Sequence, residues 1–510
     1  MVTTSSVGDR LVQPETTPRY RERLARLFAS RGALPLSLGI LGFLAVFSGS
    51  WIPSFWGDEA ASVMSAERPL PSLFRMLGNV DAVHGTYYLF LHFWIELFGA
   101  SELSVRLPSS IAIGTLVAGT FVLGRMLGGR NLGIVAALIC AVSPRASYIG
   151  GDARSYALST ALGVWLTVLL VTLIRRRVRR RLAWIGYALL ATLGVYLFLY
   201  LGLLLLVHGL YVFTSRRAIG MGRRWLAAAA LTVVLSAPII AYGYAEREQV
   251  AFLAKRNYGT PHGILVTQWF VNPYLAVTAW ALMIIAVVAG VIAWRHGARL
   301  SELVRLGVLW TAVPTLALLA MNLVSPTYNL RYLSFCTPAI AILMAAGILA
   351  LRRRWLIIPA LVLALACAIP TDVAQRLPYA KDGGSDIAQT AALIGSEAQA
   401  GDAVVFDRTT KPSERPRLGE HLFPSDYAGL VDVALRKSYV SRSGLWDTTW
   451  PLDEVSDRLD GINTVWVVEL TGSTDYREST DVATLENLGY IVAQTQTVNR
   501  TVIYTLTKGS

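Results

Sequence analysis

Charge is scarce in this chain. Of its 510 residues 15% are charged and 54% are hydrophobic, and acids (33) are fewer than bases (46). A charged fraction near a quarter is usual for soluble domains, so this composition excludes a disordered protein and an ordinary soluble enzyme. Cysteine is nearly missing. Cys140, Cys336 and Cys367 each lie inside an apolar run, with neither disulfide nor zinc spacing. No Gly-rich phosphate loop, nucleophile elbow or internal repeat is visible. The N-terminus offers no cleavable signal peptide, because its first apolar run begins near Leu34 after a basic stretch and reads as a retained helix.

What the chain has is long apolar runs. Up to Pro370 they recur at about 15–20 residues each, long enough to cross or nearly cross a bilayer. The formal net charge of +13 sits in short clusters between them, as in cytoplasmic membrane loops, so we exclude nucleic acid as a partner. Three regions follow: a basic cytoplasmic N-terminus (1–33), a membrane region (34–371), and a tail (372–510) of soluble composition.

The clusters at 19–31, 125–130, 175–181, 216–224, 295–299 and 352–354 set the topology. If all are cytoplasmic, paired spans must join them: 131–147 with 156–174, 183–198 with 200–214, 226–243 with 274–294, and 306–324 with 334–351. Runs 34–52, 108–124 and 355–371 complete eleven spans. Residues 84–99, with two His, a Glu and several aromatics, suit an interfacial helix instead. Outer loops then cover 53–107 and 244–273, and the tail is extracytoplasmic. Its β-rich runs at 403–406, 464–468, 490–493 and 502–506, with helical patterns at 385–398 and 480–488, read as α/β. The expected fold is thus a polytopic α-helical membrane protein of about eleven spans with a C-terminal extracytoplasmic α/β domain.

Ionisable residues at one edge of a bundle mark a site. Trp56-Gly57-Asp58-Glu59 follows the first span. One carboxylate could deprotonate an acceptor hydroxyl while the other orients the acceptor, or both are solvated loop acids. His84 could bind phosphate or bond across its loop. Arg106 and Arg154 lie at outer span mouths, and Arg154 either pairs with Asp152 or faces a cleft. Lys255, Arg256 and His262 lie in a basic, aromatic loop suited to cover an anionic lipid headgroup. Arg331, before Tyr332, could clamp a phosphate bidentately or snorkel. All fall on one side, as transfer from a phosphate-linked lipid donor requires.

In order and spacing these residues resemble a family. Asp58-Glu59, then His84-Gly85-Thr86-Tyr87-Tyr88-Leu89, Ser101-Glu102, Arg106-Leu107-Pro108-Ser109, Gly124-Arg125, Gly129-Arg130, Ser143-Pro144, Ala153-Arg154-Ser155-Tyr156 and Arg331-Tyr332 are similar to the series in GT-C-type membrane glycosyltransferases of the protein O-mannosyltransferase and aminoarabinose-transferase-like superfamily. His-Gly-Thr replaces the usual His-Pro-Pro. The resemblance spans about 35–350. It implies a polyprenyl-phosphate-sugar donor, single-displacement inversion, Asp58 as base and Glu59 assisting acceptor placement. It implies Arg331 as the donor-phosphate ligand, with Arg154, Lys255 and Arg256 as weaker candidates. Mannose is favoured over arabinose because the acids are Asp-Glu rather than Asp-Asp. A glycolipid, a polysaccharide or a protein remains open as acceptor. No cofactor is implied, and no metal is expected because Asp58 and Glu59 lack a third ligand. The rival from another class is a lipid-linked saccharide transporter.

Overall fold

The computed structural model describes residues 32–256, 258–295, 300–470 and 479–509. Most of the expected basic N-terminus, and the cluster beyond Arg295, lie outside the described residues.

The apolar runs form helices because backbone polar groups in lipid must find partners within their own segment. In chain order these are α1 (Ala33–Phe47), α2 (Gly57–Glu67), α3 (Leu70–Leu77), α4 (Gly85–Phe98), α5 (Glu102–Gly128), α6 (Arg130–Ala141), α7 (Pro144–Gly150) and α8 (Tyr156–Arg175). Then follow α9 (Arg181–Leu197), α10 (Leu203–Thr214), α11 (Gly222–Ala245), α12 (Pro273–Arg295), α13 (Leu300–Asn322), α14 (Thr337–Ala350) and α15 (Arg354–Ala374). Six of them (α5, α8, α11, α12, α13 and α15) are long and apolar enough to cross a membrane, and the bent pair α6–α7 makes a seventh. The 58° bend falls at Pro144, whose ring disfavours helical backbone in Ser143. The protein is thus an integral membrane protein, with six or seven spans by length and composition among the described residues. The other expected spans correspond to shorter apolar helices: Ala33–Phe47, Arg181–Leu197, Leu199–Thr214 and Ser334–Ala350.

Small residues bring the first helix against the bundle. A Cβ on Gly39 would lie 2.9 Å from the carbonyl oxygen of Gly114, so α1 and α5 meet backbone to backbone. Helix α5 starts under a serine cap, the Ser101 hydroxyl accepting from the Ser104 amide at 3.3 Å.

After α15 the chain forms α16 (Ile387–Glu397), α17 (Leu418–Leu422), α18 (Thr480–Asn487) and a sheet. Strands β1 (Ala403–Phe406), β2 (Val431–Asp432), β5 (Thr464–Leu470), β6 (Tyr490–Thr497) and β7 (Thr501–Lys508) run in the order β2-β1-β5-β7-β6. Strand β1 is parallel to β2 and β5, and the remaining pairs are antiparallel. Strands β3 (Leu435–Lys437) and β4 (Thr448–Thr449) form a separate pair. The two-residue side-chain period loads both faces of the sheet. Ala403, Val405, Val465 and Val467 pack with Leu485 of α18, and Val404, Phe406, Trp466 and Val468 with Ile394 of α16.

This C-terminal part grips the segment between α1 and α2. The Ser54 amide donates to the Pro378 carbonyl at 2.9 Å, Ser385 Oγ to the Phe55 carbonyl at 2.6 Å, and the Ala388 amide to Ser54 Oγ at 2.9 Å.

Candidate active site

Helix α2 carries the acidic pair. Trp56 is extended (φ −135°, ψ 171°), Gly57 opens the helix, and Asp58 and Glu59 fill its first turn, where the helix dipole favours negative charge. Only glycine fits at 57, because a Cβ there would lie 2.1 Å from the Ser413 carbonyl oxygen.

The adjacent acids point to different worlds. Glu59 is fully buried and held from several sides. Arg106 Nε and Nη2 reach its two oxygens at 2.7 and 2.6 Å, the Ala153 amide donates at 2.9 Å, and Lys381 Nζ stands 3.2 Å away. Arg106 also donates to the carbonyls of Ser50 and Pro53 at 2.9 and 2.7 Å. Glu59 therefore ties the loop between α1 and α2 to α5, and it is not among the residues that line the cavity beside Asp58.

Asp58 faces outward. Its side chain is 28% exposed and pairs with Arg331 Nη2 at 2.6 Å. Burial pushes the carboxyl up, but the charges of Arg331 and Arg154 outweigh it and hold Asp58 below the ordinary carboxylate value. Arg331, from the turn before α14, lies with its guanidinium 4.9 Å from the Trp56 ring centroid and 5.7 Å from that of Tyr156. Arg154 donates to the Asp58 carbonyl, Ser62 Oγ and Tyr88 Oη at 3.1, 3.2 and 3.3 Å, and to His84 Nε2 at 3.1 Å. As acceptor, His84 is neutral. Burial and then Arg154 depress its pKa to about 4.

Arg154 does not pair with the side chain of Asp152, which is bound from elsewhere. Trp56 Nε1 donates to Asp152 Oδ1 at 2.9 Å, and Lys381 Nζ lies 3.2 Å from the same oxygen. Lys381 thus bridges Glu59 and Asp152. Of these two acids Glu59 keeps its charge: burial raises it, but Arg106 and Lys381 bring it down. Asp152 is the one left raised, by burial against the pull of Lys381.

Asp58, His84, Arg154, Arg331 and Tyr332 line one cavity of about 660 Å³. Its aromatic wall is Tyr156, Phe198, Tyr200 and Tyr332, with Tyr200 and Tyr332 stacked at 5.0 Å. The C-terminal part adds Ser413, Leu445 and Trp446. Lys255, Arg256 and His262, expected as a cover, are exposed and outside this lining. The 3₁₀ segment Arg247–Lys255 presents Arg247, Gln249, Val250 and Phe252 to the cavity instead. Sequence reading also missed Lys381. One of four scattered lysines in a 139-residue tail, it carries no spacing signal, and its partners Glu59 and Asp152 are more than two hundred residues away. Among the described residues no group of three His, Cys, Asp or Glu could hold a metal ion.

Residues 86–242 match the family model for dolichyl-phosphate-mannose-protein mannosyltransferase. No curated protein sequence matches. The solved structure of ArnT from Cupriavidus metallidurans in the apo state is similar over 96% of this chain and 98% of its own, at 12% identity and a TM-score of 0.56. ArnT bound to undecaprenyl phosphate covers 93% and 98%, at 12% identity and a TM-score of 0.53. The oligosaccharyltransferase of Archaeoglobus fulgidus with Zn and sulfate covers 86% of this chain and 67% of its own, at 10% identity and a TM-score of 0.48. The chain therefore shares the fold of ArnT, and its residues 86–242 match the dolichyl-phosphate-mannose-protein mannosyltransferase family model.

Proposed function

We propose that this protein is an inverting glycosyltransferase that moves a sugar, mannose before arabinose, from a polyprenyl-phosphate donor to a cell-envelope acceptor. The observation that carries the reading is the Asp58–Arg331 pair, a base and a phosphate-binding cation in one cavity, 2.6 Å apart. A donor phosphate offers Arg331 a second anionic partner. As the guanidinium turns to it, Asp58 is released to accept the proton of the acceptor hydroxyl. The hydroxyl oxygen then attacks the anomeric carbon as the carbon–oxygen bond to phosphate breaks. The bonding pair leaves with the phosphate, steadied by Arg331. Arg154 and neutral His84 set the backbone from which Asp58 projects. Trp446 and Leu445 stand where an acceptor enters, and the aromatic wall accommodates the first isoprene units.

In this reading all eleven apolar helices cross the membrane, the N-terminus is cytoplasmic, and the cavity and C-terminal domain are outside. The lipid-linked donor is a substrate, no cofactor takes part and no metal is required. A glycolipid, a polysaccharide or a protein serves as acceptor.

The test is transfer by the purified protein in nanodiscs, with polyprenyl-phosphate-mannose and polyprenyl-phosphate-arabinose offered separately and an envelope extract as acceptor. Mannose transfer that persists in chelator and falls about 10²–10⁴-fold in Asp58→Asn is expected, with donor binding retained. Arabinose transfer would keep the mechanism and replace the sugar. Movement of intact donor across the bilayer, equal in wild type and Asp58→Asn, would favour a transporter and overturn the proposal.

A further inference from the structure

A second basic cleft lies at the far end of the two helices that wall the candidate active site. Residues at the C-terminal ends of α9 and α11, Phe198 and Gly243 among them, line the Asp58 cavity. Their N-terminal ends line another opening, of about 990 Å³. At 1.5 Å per residue, Arg223 and Gly243 of α11 are about 30 Å apart along the axis, the thickness of a bilayer's hydrocarbon core. Two openings so far apart suit opposite leaflets, and a single phosphate cannot sit in both.

The second cleft has two kinds of wall. Arg179, Arg181, Arg223 and Arg224 stand at it, and Trp184 and Phe213 are among the apolar residues beside them. Among the described residues none of the four arginines is within salt-bridge distance of an acid. Phe213 is 60% exposed. Four unneutralised guanidinium groups around an apolar groove between helices fit a phosphate carrying hydrocarbon chains, because guanidinium binds phosphate bidentately and basic pockets between membrane helices hold acidic lipid headgroups.

The geometry points to a binding site for an acidic phospholipid between the N-terminal ends of α9 and α11, its phosphate held by Arg179, Arg181, Arg223 and Arg224 and its acyl chains along Trp184 and Phe213. The site is independent of turnover, so its test stands apart from the transfer reaction.

The test is native mass spectrometry of the full-length protein released from detergent with phosphatidylglycerol, phosphatidylcholine, undecaprenyl phosphate or inorganic phosphate. Wild type and Asp58→Asn should both retain phosphatidylglycerol at least tenfold over phosphatidylcholine, a comparison that needs no altered cleft. The fourfold variant R179Q/R181Q/R223Q/R224Q should lose that preference, while R130Q/R176Q/R352Q/R353Q, which removes the same number of charges from exposed arginines outside the cleft, should keep it. Equal retention of the two phospholipids by wild type would overturn the proposal. So would equal loss of preference in both sets of variants. Displacement of phosphatidylglycerol by undecaprenyl phosphate at equal concentration would replace the phospholipid by a polyprenyl chain. Displacement by inorganic phosphate alone would remove the lipid from the proposal.

Discussion

Asp58 and Glu59 are neighbours in sequence with opposite surroundings, and substitution should separate them. Glu59 is fully buried against Arg106 and Lys381. Removing one partner of a buried ion pair leaves an uncompensated charge and costs about 3–5 kcal/mol. Glu59→Gln should therefore lower the thermal midpoint sharply, whereas Asp58→Asn, whose side chain is partly exposed at the cavity, should leave it closer to wild type. Equal midpoints for the two variants, measured by differential scanning fluorimetry, would contradict these roles. His84 makes a pH prediction. Its folded pKa is depressed from 6.5 to about 4, by burial first and Arg154 second. Between those values the unfolded chain binds a proton that the folded chain refuses, so stability is complete above pH 6.5 and drains as pH falls toward 4. Melting curves across that window should show the loss, and His84→Gln should flatten it. A slope unchanged by the substitution would place the proton elsewhere.

At the scale of elements, the contact of α2 with the C-terminal part governs where Asp58 points. Gly57→Ala would set a Cβ 2.1 Å from the Ser413 carbonyl, and one of the two segments must shift. Overpacking of this kind costs about 1–3 kcal/mol, and a displacement near 1 Å beside the reacting groups can cost about 10²-fold in rate. We expect kcat to fall more than stability does. A variant with full kcat and a lowered melting point would assign Gly57 to folding alone. Elements were also what the sequence showed best. The β-rich runs at 403–406 and 464–468 fall on β1 (Ala403–Phe406) and β5 (Thr464–Leu470), and the interfacial pattern at 84–99 on α4 (Gly85–Phe98). Long apolar periodicity and β-branched runs are local signals and survive tertiary packing. Which face of a segment turns inward is not local. The cover segment therefore exchanged its expected residues, Lys255, Arg256 and His262, for Arg247, Gln249 and Phe252. Asp58, His84, Arg154 and Arg331 could be singled out in the sequence because charges are rare in such a chain, and they line one cavity. The burial of Glu59 could not be read there, because its partners Arg106 and Lys381 come from distant segments.

For the whole molecule, Lys381 is the joint. It enters after the last membrane helix and stands 3.2 Å from both Glu59 and Asp152, while Asp152 accepts from the Trp56 indole whose ring lies against Arg331. Lys381→Met should leave Glu59 and Asp152 without the cation between them, with a loss of stability and, on the proposed function, a displaced Arg331 that raises KM for the donor. Asp152→Asn in the same chain removes the excess charge and should restore much of the stability. A double variant no more stable than Lys381→Met would show that the lysine acts through another contact.

That joint also fixes an order in time. Asp58 leaves the ribosome early, but the lysine that completes the ground beneath it follows 323 positions later, from 58 to 381. At about 5–20 residues per second, synthesis of that interval takes roughly 15–65 s. Through that interval Asp58 is already made but lacks its finished support. A ribosome that stalls before Lys381 releases a chain with helices in place and an unlocked centre. On the function proposed above, the centre is completed only after Lys381 has been made, and a copy truncated before it lacks the cation that stands between Glu59 and Asp152.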